Sequence, residues 1–524
     1  MAFISIFNDV LGPVMPGPSS SHTAGSYHLG RLALGLLGEE PGRASLTFDP
    51  RGSYACVYRE QGVDLGFAAG LMGWPLTDRR FPMALKEASR HGLKLIFRVA
   101  PMSRADHPNF VAIDLATRGG DRLSLDGRSV GGGAVEITRL GRWPVLLDGK
   151  THDHLLEVET KVNKPVKHFL GKNLGADWIF SGLGSGALTL FHIKGAAPLP
   201  SSVLQPLKVL SGVRSIRTSE PVFFVQKGAP LFGSSQDMIR LAHRKKLSLG
   251  RLGLAYEAQI LGLSEQQALA EMGRRYEVMR ASLRQGLAGR GLRMRLLAPS
   301  AAKVFCAERA GRVAVGGLPT RAAARALAVM HVSNSGGMVC AAPTGGAAGA
   351  LPATVISLAE ERRLSREQAI LALFAASAVG VIVAGRATFA AETAGCQVEI
   401  GAAGAMAAAA VVDIAGGTAA QACDAAAISF QNTMGSVCDL VQGLCEIPCH
   451  TRNAVAAASA FVCADLILGG YRNPVPLDET IDAVLSSGRM LPPELRCTAR
   501  GGLALAPSAQ ALGRGRLRSK PTGR

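Results

Sequence analysis

Between residues 321 and 469 the chain consists mostly of small apolar residues, in alanine-rich runs broken at glycines. Short side chains let helix backbones approach closely, and glycine supplies the reversals between helices. Residues 232–508 are therefore read as an all-α domain. Within it, residues 369–385 run apolar for 17 positions and are followed at once by Arg386. That length is the short limit for a membrane span, so a helix buried on all sides is expected and no membrane association. Aromatics are only 5% of the 524 residues, while apolar residues reach 48% and charged residues 18%. Such a chain buries large surfaces but is too long for one core.

The remainder reads as α+β. Residues 1–142 mix short strands (44–49, 109–114) with a helix (63–72) and a glycine turn at 130–133. Residues 143–228 follow a β-α-β-β-α-β rhythm: strand 154–159, helix 164–174, strands 178–180 and 188–193 about a glycine-rich turn, helix 202–210, strand 222–225. That order is the ferredoxin-like pattern. Lys227-Gly228-Ala229-Pro230 marks a linker. Part of the net charge of +18 lies in residues 509–524, with Arg514, Arg516, Arg518, Lys520 and Arg524. A disordered solubilising end is expected, and no specific nucleic-acid partner, because no recognition motif accompanies it. Ten cysteines behind an N-terminus without a basic, long-apolar leader point to a reducing cytoplasm.

Three of those cysteines stand in distinctive settings: Cys396 in Ala-Gly-Cys-Gln-Val-Glu, Cys438 in Met-Gly-Ser-Val-Cys-Asp, and Cys449 in Ile-Pro-Cys-His-Thr-Arg-Asn. By residue type, three thiolates suit an iron–sulfur cluster with one open iron, and buried structural thiols are the alternative. Near the N-terminus lies Gly17-Pro18-Ser19-Ser20-Ser21-His22-Thr23-Ala24-Gly25, and later Ala342-Pro343-Thr344-Gly345-Gly346-Ala347-Ala348-Gly349. Together these segments resemble the iron–sulfur-dependent L-serine dehydratases (L-serine ammonia-lyases), in the single-chain order with fused β and α parts.

The resemblance implies a β-type domain at 1–142, an ACT-type regulatory module at 143–228 and a catalytic α-type domain at 232–508. It implies a [4Fe–4S] cluster on Cys396, Cys438 and Cys449, and a small amino-acid substrate losing water to give pyruvate and ammonia. Ser20, Ser21, His22 and Thr344 are the implied catalytic residues. Ser19, Thr23, Gly345, Gly346, Ala347, Arg452 and Asn453 join them around the substrate. A homodimer is expected from the ACT-like module and the two-part site. Pyridoxal phosphate is not expected, since after Lys303 the only lysine is Lys520 and a Schiff-base lysine is missing from the α domain.

Other readings stay open. Ser19 and its neighbours also suit an ordinary helix N-cap, and the 343–349 loop an ordinary turn. Cys340, Cys423 and Cys463 read as core and Cys445 as packing or a nearby thiol; the late cysteine that caps the open iron in some members of the family is expected to be absent unless Cys497 serves. The family segment Arg-Gly-His-Gly-Thr-Asp corresponds here to Arg59-Glu60-Gln61-Gly62-Val63-Asp64, so an amide replaces an imidazole, and an amide cannot shuttle protons. Glu60 is a candidate base in its stead. Lyase action on another β-substituted amino acid, such as threonine or cysteine, and a non-catalytic amino-acid sensor are the competing functions.

Overall fold

The computed structural model describes residues 3–512, so residues 513–524 of the expected basic end lie outside it. Residues 509–512 do not belong to such an end. Pro507–Ala511 is a short helix, Ala509 packs with Val441 and Leu444, and the Gln442 amide donates to the carbonyls of Ala509 and Leu512.

The first unit is a six-stranded sheet ordered Lys94–Val99, Pro41–Phe48, Phe110–Thr117, Arg122–Gly131, Ala134–Leu140 and Trp143–Leu147. Only the first pair is parallel. Helices Gly25–Leu37 and Val63–Leu71 share its core with Phe48, Tyr54 and Phe67. The boundary expected at 142 falls inside this sheet, because Gly141 at φ +55° makes a tight turn that returns Trp143 against Leu140.

A second, four-stranded antiparallel sheet is ordered Val213–Ser219, His152–Glu159, Leu188–Gly195 and Trp178–Ser185, with helices Asn163–Asn173 and Ser201–Val209 in the connections. The β-α-β-β-α-β rhythm holds, but its last strand is 213–219 and not 222–225. Arginines and serines disguise the true strand. The apolar Val222-Phe223-Phe224 run is an anchor: the Val222 and Phe223 N–H groups both donate to the Gly149 carbonyl, and the Phe224 ring lies 6.1 Å from that of Phe7. Gly182 and Gly184, expected in a turn, lie within strand Trp178–Ser185.

The C-terminal region is helical, as its composition predicts. Helix Arg366–Arg386 is buried along most of its length, which accounts for its apolar sequence. Helices Cys396–Ile414 and Cys449–Leu468 are also long and apolar enough to cross a bilayer, and they are 83% and 50% buried inside the protein. Glycine permits the tightest crossings. A Cβ on Gly253 would stand 2.4 Å from the Phe374 carbonyl oxygen, and one on Gly286 only 2.0 Å from that of Ala328.

The N-terminal residues depart from the expected division. Ile6, Phe7, Val10 and Leu11 sit in the core of the helical region. Glu257, on helix Leu249–Leu261, accepts from Ser5 Oγ (2.6 Å) and from the N–H groups of Ile6 (2.6 Å) and Phe7 (2.9 Å). Strand Val14–Pro16 then pairs antiparallel with Met338–Cys340.

Two outcomes follow from these contacts. Gly286→Ala should lower unfolding stability by about 1–3 kcal/mol, since the crossing must open to admit a methyl group; chemical denaturation would read this, and an unchanged midpoint would refute the close approach. Burial pushes the Glu257 carboxyl up to about 7 from its ordinary 4.5, against the pull of its hydrogen bonds. The folded chain therefore binds more protons between those values, and this group's contribution to stability falls as pH rises through them. Glu257→Gln should remove a pH-dependent loss of roughly 3 kcal/mol across that window; parallel stability profiles for the two proteins would count against it.

Candidate functional site

The pairing of Val14–Pro16 with Met338–Cys340 brings the two chemistry-bearing loops together. The Gly17 N–H donates to the Gly337 carbonyl (3.1 Å), and the Gly345 N–H donates to Ser20 Oγ (3.1 Å). A Cβ on Gly345 would stand 2.9 Å from the Ser20 nitrogen, so only glycine allows this approach. Ser20 to Ala24 form a single π-helical turn that opens helix Gly25–Leu37.

His22 is fully buried inside that turn. Its Nδ1 lies 3.0 Å from both Ser19 Oγ and Ser21 Oγ, and its Nε2 lies 3.0 Å from Ser53 Oγ. Ser53 donates its own proton to the Cys497 carbonyl at 2.7 Å, so it must accept from His22. This assigns the proton to Nε2 and leaves Nδ1 accepting from a serine hydroxyl. Burial pushes the imidazole down to about 3, so it is neutral.

Beyond Ser21 stands a group that the sequence reading passed over. Glu392 is 2% exposed, accepts from Asn109 Nδ2 at 2.6 Å and faces Ser21 Oγ at 3.4 Å. Burial, reinforced by the neighbouring Glu399 charge, pushes its carboxyl up to about 8. Within residues 369–412 the only acidic residues are Glu392 and Glu399, and two isolated acids in an apolar run are a signal the sequence offered. Glu399 accepts from Thr344 Oγ1 at 2.6 Å, and burial raises its carboxyl as well.

The cysteines converge. The Cys438 thiol contacts those of Cys396 and Cys497, and the Cys445 thiol contacts that of Cys449. All five are buried. Thiol contacts and burial raise Cys438 and Cys445 well above the ordinary thiol value. For Cys449 the Cys445 contact lowers the value, but burial and the surrounding charges leave it raised. Arg452 faces this group: its Nη1 lies 3.6 Å from Cys396 Sγ and 2.7 Å from the Val437 carbonyl, and its Nη2 pairs with Asp439 at 3.0 Å. Buried thiols beside one guanidinium have the chemistry of iron–sulfur ligands, while among the described residues no three such side chains are arranged to hold a single metal ion. Cys445 and Cys497, read from sequence as packing and as a late cysteine, both belong to this group. Cys340, Cys423 and Cys463 are buried as expected for core residues.

Other expected site residues are committed elsewhere. All four hydrogen-bonding positions of the Asn453 amide are used: Oδ1 accepts from the Gly349 and Ala350 N–H groups, and Nδ2 donates to the Gly346 and Cys449 carbonyls. Asn453 therefore ties the glycine loop to the cysteine helix and has nothing left for a substrate. Thr23 Oγ1 is likewise spent on the Gln61 carbonyl. Gln61 donates toward Gly443 O and Cys497 Sγ, both at 3.4 Å. Glu60 lies beside Gly443 and has no hydrogen bond to the serine loop, so it is not placed as its base.

A cavity of about 250 Å³ reaches this constellation. Ser53 and Glu392 line it together with Arg51, His107, Arg496 and Thr498. Arg496 donates Nη1 to the Thr393 carbonyl, and its buried Nε has no partner. A second cavity, about 290 Å³, touches Cys396 and Arg452 among the helices. The first touches the serine turn's partners Ser53 and Glu392, and the second the cysteine helix.

A profile of the serine dehydratase alpha chain family matches residues 235–504. The probable L-serine dehydratase alpha chain of Bacillus subtilis is 36% identical over 282 residues, covering 54% of this chain and 94% of its own. The probable beta chain of the same organism is 40% identical over 158 residues, 30% of this chain and 69% of its own. The L-serine dehydratase 2 of Escherichia coli is 31% identical over 300 residues, covering 55% of this chain and 65% of its own. With a match over more than half its length and relatives of both chain types, the protein belongs to the serine dehydratase alpha chain family, in a form that also carries beta-chain sequence.

Proposed function

We propose that the protein is an L-serine ammonia-lyase that converts L-serine to pyruvate and ammonia with a [4Fe–4S] cluster. One observation carries the reading: Ser53 joins the serine–imidazole turn to the thiol pocket, accepting from His22 and donating to the carbonyl of Cys497. Cys396, Cys438 and Cys449 would hold the cluster, with Cys445 and Cys497 beside it. When bound, the cluster supplies Lewis acidity toward a hydroxyl leaving group.

The chain's own residues bind and orient. Arg496 lines the cavity and its guanidinium suits the substrate carboxylate. Ser53 holds His22 in one tautomer, with Ser19 and Ser21 at its Nδ1, and Thr344 fixes Glu399 beside the glycine loop. Gln61, facing Cys497 in place of an imidazole, favours a second reading, in which the substrate is another β-substituted amino acid such as threonine or cysteine. The sheet order of residues 152–219 is that of a ferredoxin-like fold, which supports an ACT-type module binding an amino-acid effector. A cytoplasmic homodimer without membrane or specific nucleic-acid partners completes the proposal.

Anaerobic reconstitution with iron and sulfide should yield about four irons per chain and pyruvate formation from L-serine. Cys438→Ala should lose both, whereas Cys463→Ala, on the same helix as Cys449 but outside the thiol group, should keep activity within about twofold, at a stability cost of about 1 kcal/mol. Iron uptake without pyruvate would turn the assignment toward the second reading, tested with threonine and cysteine. Thr344→Val should reduce kcat/KM by about 10–100-fold by freeing Glu399; an unchanged value would remove Thr344 from the site.

A further inference from the structure

Among the groups around the cavity, few are free to gain or lose a proton. His22 has both ring nitrogens engaged. Asp49 is held by Arg51 and the Met102 N–H, and His107 Nδ1 accepts from the Asn109 N–H. Gln61 does not titrate. Glu392 differs from all of these. It lines the cavity, has no ion pair, and is aimed by Asn109, whose own Oδ1 is buried without a partner.

We propose that the Glu392 carboxylate is the base that removes the substrate's α-proton, with Asn109 as its positioning residue. The assignment rests on the lyase reading above and adds to it the identity of the proton acceptor. With the substrate carboxylate on Arg496, its α-carbon lies within the same cavity as Glu392. The proton passes from Cα to a Glu392 oxygen, and the Cα–H electron pair becomes the Cα=Cβ bond. The Cβ–O bond breaks, its pair leaving with oxygen as hydroxide. The resulting aminoacrylate tautomerises to an imine, which water hydrolyses to pyruvate and ammonia.

The surroundings suit this role. Glu399 and Tyr54 are titratable neighbours of Glu392, His22 stands behind Ser21, and Asp49, Arg51, Asp106, His107 and Arg496 line the same cavity. His22 is neutral and burial raises the Tyr54 hydroxyl, so neither competes for the proton. With its carboxyl raised to about 8, Glu392 retains an abstracted proton long enough for the leaving group to depart, and a base near the working pH is the most effective. The free enzyme must ionise Glu392 before it acts, so kcat/KM should climb with pH through this value.

The test uses the reconstituted full chain with L-serine in D₂O, following pyruvate and loss of the α-proton signal by NMR. Glu392→Gln should lower kcat by about 100-fold or more, abolish α-proton loss and flatten the pH limb. Its KM should stay within about threefold, and its iron content should match the parent. Glu392→Asp should keep the limb at an intermediate rate, which a merely structural carboxyl would not produce. A Glu392→Gln protein with kcat within about threefold, or with the limb intact, overturns the proposal, as does one that fails to take up iron. If the parent itself neither exchanges the α-proton nor forms pyruvate while holding its cluster, the serine reading falls and this assignment falls with it. A defect confined to the Glu392 variants cannot be confused with that result.

Discussion

The short antiparallel pairing of Val14–Pro16 with Met338–Cys340 is the contact on which the site depends. It joins segments more than three hundred residues apart, and each strand leads directly into a loop that carries chemistry. Closing so long a loop is entropically costly, and three residue pairs of sheet would not hold it alone. The fold adds neighbours that lower the cost. Glu257 grips Ser5, Ile6 and Phe7, the Phe7 ring packs against Phe374 and Phe224, and Arg275 donates to the Leu11 carbonyl. The N-terminal segment is in this sense a part of the helical region that the chain lays down first.

Water exclusion then decides the electrostatics. Two carboxyls, the buried Glu392 and the half-buried Glu399, stand near the serine turn and the glycine loop, and each raises the other's cost of ionising. Among the described residues neither has a lysine or arginine within ion-pairing distance, because the nearby Arg452 is turned to the thiols and Asp439. A site this dry holds its polar groups by hydrogen bonds: Thr344 on Glu399, Asn109 on Glu392, and serine hydroxyls on His22. The arrangement keeps negative charge low until a cationic partner enters, and an amino-acid ammonium is one such partner.

The helical domain was legible because its cause is local. Alanine runs and glycine breaks are read directly, and the burial of helix Arg366–Arg386 follows from its lack of a polar face. The serine turn, the glycine loop and the three cysteines were also visible, since each is a short distinctive segment. What escaped was whatever depends on tertiary partners. Val222-Phe223-Phe224 has the composition of a strand, yet its N–H groups go to Gly149 and Asn8, while the polar Val213–Ser219 takes the sheet edge. Asn453 stands beside cysteines as a substrate ligand would, and only the geometry reveals that its amide is fully spent on backbone. Glu392 stood in view as one of two acids in an apolar run, but sequence gave no reason to pair it with Ser21, which is contributed by the other end of the chain.

Cys497 stands where the thiol pocket meets the serine–imidazole turn. It is a non-glycine residue at φ +60°, a conformation that costs an L-residue about 1–2 kcal/mol. Two hydrogen bonds hold it there: its N–H donates to the Cys438 carbonyl at 3.0 Å, and its carbonyl accepts from Ser53 at 2.7 Å. Through Ser53 it meets His22, through His22 it meets Ser21, and through Ser21 it reaches Glu392. A line of polar contacts thus runs from the thiol pocket to the carboxyl on the cavity wall. The donors are fixed from Cys497 to His22: Ser53 gives its proton to the Cys497 carbonyl and His22 gives Nε2–H to Ser53, while with Ser21 donating to Glu392, Nδ1 is left to accept from Ser19. Between Cys497 and His22 the two bonds are coupled, because reversing the Ser53 hydroxyl would require the imidazole to change tautomer.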